Sequence, residues 1–153
     1  MRAMKHPYAD LIGFHFEEQR PGYSRCVLEV GDKHRNPHGV THGAVLYALA
    51  DTGMGAALYP TLDPGQLCAT IQITMNYFKP VVSGVVTCTT EVVNRGKAVA
   101  HLESRLFVGE LLVATANGNY SIFRPRSGAT SENPLTSDPR QRRGSSRKPT
   151  ARS

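Results

Sequence analysis

Asn36-Pro-His-Gly-Val-Thr-His-Gly-Ala-Val-Leu-Tyr-Ala-Leu-Ala-Asp51 is the stretch on which the fold turns. Its first half is a polar loop punctuated by Pro37 and Gly39. From Gly43 to Tyr59 it becomes a run rich in Ala and Leu, too long for an ordinary strand, and we read it as a helix. Asp51 sits in the middle of that helix, apolar on every side. An ionised carboxylate taken out of water without partners is expensive, so it must be paired, capped or chemically employed. Gly53 and Gly55 each cost a helix about 1 kcal/mol against Ala, which predicts that something packs closely on them.

The flanking segments set the architecture. Pro7 to Gly13 reads as a short helix opened by Pro and closed by Gly. Arg20-Pro-Gly-Tyr23 is a turn between two extended segments, the second running from Arg25 to Val30. After the long helix, Thr70 to Tyr77 alternates as a strand and Lys79-Pro80 ends it. Val81 to Val93 is a second strand, and Asn94-Arg-Gly-Lys97 a hairpin turn. Ala98 to Phe107 puts His101, Glu103 and Arg105 on one face and Ala100, Leu102 and Leu106 on the other. Gly109-Glu110 turns the chain into Leu111 to Phe123. Three consecutive hairpin-linked strands imply a mainly antiparallel sheet with the long helix on one face, an α+β domain.

The chain has 153 residues, 40% hydrophobic and 20% charged, enough for one core. Its net charge of +6 lies entirely beyond residue 123. Residues 1–123 are therefore expected to be the folded domain. Residues 124–153, rich in Pro, Ser, Thr and Arg, are expected to be a disordered basic tail. A basic nucleic-acid-binding face is not expected. The Gly43–Tyr59 run, broken by Asp51, falls short of a membrane span. No apolar leader follows Met1, and Cys26, Cys68 and Cys88 have no C-x-x-C spacing, so a cytoplasmic protein without disulfides is the expectation.

Thr41-His42-Gly43-Ala44 should open the long helix. Unpaired N–H groups and the positive end of the dipole gather there, and small residues let a ligand approach the backbone. Such a site can polarise a carbonyl and hold an oxyanion. Thr41 as a simple helix cap is the plainer alternative. His42 and Asp51 are separated by roughly 13 Å of helix rise and about half a turn. Asp51 cannot reach a carbonyl held at its own helix start. If both act on one substrate, Asp51 must face the helix start of another subunit, giving two equivalent composite sites per dimer.

Asn36, Gly39, His42-Gly43 and Asp51 stand at the spacing N-x2-G-x2-H-G-x7-D, followed by strands that include Asn76-Tyr-Phe-Lys-Pro80. In this the chain, over about residues 7–124, resembles the phenylacetate-pathway (PaaI-type) hotdog-fold acyl-CoA thioesterases. The resemblance implies a long helix wrapped by a curved antiparallel sheet, paired into a homodimer or a dimer of dimers, usually a homotetramer. It implies Asp51 as general base or nucleophile and the Gly43 N–H as the group polarising the thioester carbonyl. His42 would support that turn, Asn36 would orient the carbonyl or the water, and Thr70 would stand beside the carboxylate. Coenzyme A, part of the substrate and not a cofactor, would lie at Tyr77, Lys79 and Pro80 and at the turn Arg95, Gly96 and Lys97. The family's second helix-start Gly is Ala44 here, and its methyl would narrow the acyl tunnel.

Other chemistries fare worse. His34, His38 and His42 have a metal-like spacing that Pro37 and Gly39 break, and no carboxylate or cysteine completes a set, so no metal is expected. There is no G-x-S-x-G elbow, no Walker A and no G-x-G-x-x-G. Cys68 and Cys88 read as core residues. Within the same fold, a dehydratase or hydratase and a non-catalytic acyl-CoA-binding regulator are the alternatives.

Overall fold

The computed structural model describes residues 6–125. The expected tail from residue 126 on lies outside the described residues. Two helices and six strands follow in the order α1 (Pro7–Ile12), β1 (Phe14–Arg20), β2 (Tyr23–Glu29), α2 (Gly43–Leu58), β3 (Leu67–Tyr77), β4 (Val85–Arg95), β5 (Val99–Val108) and β6 (Leu111–Phe123). All neighbouring strands are antiparallel, in the order β1-β2-β4-β5-β6-β3. Helix α2 lies across one face of this sheet, the hotdog arrangement expected from the sequence.

Because α2 is apolar around its circumference, it can be swallowed by the sheet along its whole length. Its first half places Val45, Leu46 and Leu49 among Phe14, Cys26, Leu28, Val86, Cys88 and Leu106. Its second half places Ala50, Met54, Ala57 and Leu58 among Ala100, Leu102, Ala116, Tyr120 and Ile122. Leu49 and Leu58 are fully buried, worth about 1.5–3 kcal/mol each. One stripe of the helix escapes the sheet: Gly43, Ala44, Tyr47, Asp51 and Gly55 remain exposed or half-buried.

Two glycines set how closely helix and sheet approach. A Cβ on Gly53 would stand 2.8 Å from the Thr90 hydroxyl, and one on Gly118 of β6 would stand 2.7 Å from the Met54 sulfur. The Ser24 hydroxyl donates to the Gly53 carbonyl at 2.7 Å, and Thr90 and Ser104 share a buried hydroxyl pair at 2.7 Å. Close packing thus holds for Gly53. It fails for Gly55, where a Cβ would meet nothing within 4 Å, because that side of the helix turns away from the sheet.

Strand limits differ from expectation at three places. β2 begins at Tyr23, directly after the Gly22 turn. Val81 and Val82 are not in β4. Val81 is buried and gives its carbonyl to the Thr41 N–H at 2.7 Å, and Gly84, with φ of 96°, turns the chain before β4 starts at Val85. Asn94 and Arg95, expected in the hairpin turn, complete β4, leaving residues 96–98 to make the connection. No helix among the described residues is long and apolar enough to cross a membrane.

Candidate active site

The start of α2 is held from three sides. His34 is buried, accepts the Gly31 N–H on Nδ1 at 2.9 Å and donates Nε2–H to the Ile12 carbonyl at 2.6 Å. Its own carbonyl takes the His42 N–H at 2.7 Å, while Thr41 is tied to Val81. With both ring nitrogens engaged, His34 is a structural clip. The helix cap is His42, not Thr41: the His42 ring accepts the Ala44 N–H on Nδ1 at 3.0 Å. The Thr41 hydroxyl is buried and without a partner among the described residues.

This capping leaves the Gly43 N–H, which finds no acceptor among the described residues. It points from the positive end of the α2 dipole. On the other side of Gly43, Tyr77 donates its hydroxyl to the Gly43 carbonyl at 2.9 Å. Burial, with a smaller effect of Tyr47, pushes the Tyr77 phenol above its usual range and keeps it a donor. A cleft of about 440 Å³ opens here, lined by Thr41, Gly43, Ala44, Tyr77, Lys79 and Pro80 among others.

Asp51 does not line that cleft. It is half-buried two turns further along α2, about 12 Å from Gly43 by helix rise. Its Oδ1 accepts the Thr70 hydroxyl at 2.8 Å and the Tyr120 hydroxyl at 2.6 Å. Thr70, expected beside the carboxylate, is there. Tyr120 was not anticipated. Its place on the inward face of β6, in step with Ala116, Gly118 and Ile122, is visible in the alternation of the strand. A buried phenol needs a polar partner, and that was the available signal.

The expected coenzyme A residues divide between the two ends of the chain's own sheet. Tyr77 pairs opposite Ala114, whereas Arg95, Ala100, Tyr120 and Thr70 lie in one cross-strand row at the Asp51 end. Thr70 and Tyr77 are roughly 23 Å apart along β3. The Arg95 guanidinium bonds the Gln66 side chain at 3.0 Å and the Gly96 carbonyl at 2.8 Å, and Lys97 is exposed. Asn36 uses its side-chain oxygen on its own loop, accepting the His38 N–H at 2.9 Å.

The cysteines are quiet. Cys26 and Cys88 face each other across β2 and β4, fully buried. The Cys88 thiol and burial raise the Cys26 thiol far above its usual range, and burial raises Cys68. Among the described residues no histidine hydrogen-bonds Asp51.

The model of the thioesterase superfamily matches residues 38–115, which spans the helix start, Asp51, Thr70 and Tyr77. The chain belongs to the thioesterase superfamily. A Pseudomonas aeruginosa protein, PA0474, is 32% identical over 76% of this chain and 88% of its own length. The 1,4-dihydroxy-2-naphthoyl-CoA hydrolase of Listeria monocytogenes is 26% identical over 63% of this chain and 79% of its own. Among solved structures, a mutant of the phenylacetic acid degradation protein PaaI from Thermus thermophilus superposes with a TM-score of 0.72 at 26% identity. That match covers 78% of this chain and all of the PaaI chain. As a superfamily member, the protein is a thioester hydrolase of PaaI-like, hotdog type.

Proposed function

We propose that this thioesterase hydrolyses an acyl-CoA to the free carboxylic acid and coenzyme A at a site completed by a second copy of the chain. The observation that carries the reading is the separation of the two unclaimed groups. The free Gly43 N–H opens the cleft, and the second oxygen of Asp51, Oδ2, accepts no hydrogen bond among the described residues. Both lie on one rigid helix, too far apart to act on one carbonyl.

Strand β3 supplies the means of closing that gap. Among the described residues it pairs with β6 alone, and its other edge is open. Ile71 and Tyr77 on it are exposed, as is Tyr47 on the uncovered stripe of α2. Antiparallel pairing of β3 with its own copy, centred between Ile73 and Thr74, sets Thr70 opposite Tyr77 of the partner subunit. Asp51 then comes to the level of the partner's Gly43. The Arg95–Lys97 turn likewise joins the partner's Tyr77–Pro80, and the cations of Lys79, Arg95 and Lys97 suit the phosphates of coenzyme A. Pairing of such dimers into a tetramer is part of the same reading, as is a cytoplasmic setting.

In the chemistry, the Gly43 N–H and the helix dipole stabilise charge on the thioester oxygen. His42 keeps that turn capped, and Asn36 shapes the loop leading to it. As base, Asp51 takes a proton from water while the water oxygen bonds to the carbonyl carbon. Collapse then breaks the carbon–sulfur bond, and the proton passes to the departing thiolate. As nucleophile, Asp51 itself bonds the carbon, coenzyme A leaves as thiolate, and water hydrolyses the mixed anhydride. No resident cofactor enters either route.

Release of free thiol from a panel of aryl, short and medium acyl-CoA esters tests the reading, with Asp51→Asn beside the wild type. Loss of turnover by about a hundredfold or more in a folded Asp51→Asn protein is the expected result. Stable acyl-CoA binding without thiol release by the wild type would instead make the chain a binder.

A further inference from the structure

The two oxygens of the Asp51 carboxylate are treated unequally. Oδ1 takes both hydroxyl donors, Tyr120 at 2.6 Å and Thr70 at 2.8 Å, and Oδ2 takes none among the described residues. The Tyr120 hydroxyl also stands 2.7 Å from the main-chain carbonyl oxygen of Asp51. One phenol proton is thus shared between the side chain and backbone of a single residue 69 positions away in sequence. Left alone, an aspartate carboxylate turns freely about a broad, two-fold torsion and exchanges its oxygens. Here the exchange would break two hydrogen bonds.

The donor side of this clamp is itself packed into the core. The Tyr120 ring is buried with Ala50, Leu102, Ala116 and Ile122. Gly118, two residues earlier on the same face of β6, lets Met54 and hence this turn of α2 close onto the strand. Burial, ahead of the bond to Asp51, pushes the Tyr120 phenol well above its ordinary range, so that it stays protonated and donating.

We infer that Tyr120 is a positioning residue which, with Thr70, fixes the Asp51 carboxylate through Oδ1 so that Oδ2 alone is presented to the thioester. The inference rests on the acyl-CoA thioesterase reading above and adds to it the choice of reacting oxygen. The same clamp serves either chemical role. As base, Oδ2 receives the proton of the attacking water. As nucleophile, Oδ2 forms the bond to carbon and Oδ1 becomes the carbonyl oxygen of the anhydride, with its two donors already in place.

Tyr120→Phe keeps the ring and removes only the hydroxyl. With the wild-type oligomer as reference, the variant is expected to lose about tenfold to a hundredfold in kcat with KM within about twofold. In an Asp51→Asn background the same change should cost nothing further, since Tyr120 acts through the carboxylate. Crystal structures of wild type and variant give a readout independent of turnover: the Asp51 carboxylate should rotate or split when the phenol is gone. Should Tyr120→Phe fail to fold, Thr70→Val removes the other donor from an exposed strand and must show the same loss confined to kcat. An unchanged kcat in Tyr120→Phe, an equal loss in the Asp51→Asn background, or an unmoved carboxylate overturns the clamp. A wild type that releases no thiol, alongside a rotated carboxylate in the variant, overturns the acyl-CoA reading and leaves the clamp standing.

Discussion

The ring of Tyr77 and the α-carbon of Gly43 occupy one another's space: the Tyr77 hydroxyl bonds the Gly43 carbonyl at 2.9 Å, and a Cβ on Gly43 would lie 3.2 Å from that ring. The last residue of β3 therefore holds the carbonyl of the first residue of α2, on the peptide next to the one that carries the Gly43 N–H. Tyr77 was expected among residues that hold coenzyme A; its contacts within the chain make it first a support for the helix start. Tyr77→Phe should lower stability by about 1 kcal/mol, the worth of one hydrogen bond. It should also slow thiol release by more than it weakens substrate binding, since it steadies Gly43, whose N–H is proposed to face the oxyanion. Urea unfolding and steady-state kinetics on the same variant check both.

Gly118 decides whether Asp51 can reach its partners at all. A methyl there would crowd the Met54 sulfur at 2.7 Å, Ile73 at 3.0 Å and the Gln72 carbonyl at 3.2 Å. The sulfur can swing aside, but the backbone of β3 cannot. Gly118→Ala should cost about 1–3 kcal/mol and reduce kcat, as α2 is lifted off β6 and the bonds from Tyr120 and Thr70 lengthen. Thermal unfolding monitored by circular dichroism, with kinetics below the transition, measures the two effects separately.

Much of this was readable beforehand, for identifiable reasons. β6 ends where the alternation ends, at Leu111 and Phe123, and α2 runs from Gly43 because composition and length agree there. Val81-Val82 misled because apolar β-branched residues look alike whether they pair in a sheet or plug a loop; only the Thr41–Val81 bond distinguishes the two. Gly53 and Gly55 are equivalent by propensity and differ only in which one faces the sheet. Tyr120 escaped notice because parity assigns a side chain to a face, while its partner depends on how α2 crosses that face. The split of the residues expected to hold coenzyme A between two ends of the sheet needed the strand register, which local pattern does not contain.

Tyr120 also carries a signature in alkali. Its phenol is raised above the usual value of 10.0 chiefly by burial and then by its bond to Asp51. The folded chain holds the proton that the unfolded chain releases. The stabilisation is thus fully present below about pH 10 and is lost as the pH climbs further. Spectrophotometric titration of the folded protein should leave Tyr120 un-ionised well beyond pH 10. In Tyr120→Phe the folded-state titration should be nearly unchanged, and the fall of stability above pH 10 should be shallower.

The proposed two-subunit site makes a prediction that no single-chain site can meet. Gly43→Pro removes the N–H proposed to hold the oxyanion, and proline suits the first helical position. His42, at φ −61° and ψ 134°, already has the extended backbone that a following proline demands. The Tyr77 ring must give by a few tenths of an ångström, so the fold is confirmed by circular dichroism first. Gly43→Pro and Asp51→Asn should each be nearly inactive alone. In a mixed dimer, the intact Gly43 of the Asp51→Asn chain meets the intact Asp51 of the other chain and one working site is restored. After unfolding and joint refolding of equal amounts, thiol release should recover to about a quarter of the wild-type rate. Recovery no greater than the average of the two variants alone would place the whole site within one chain and defeat the two-subunit reading.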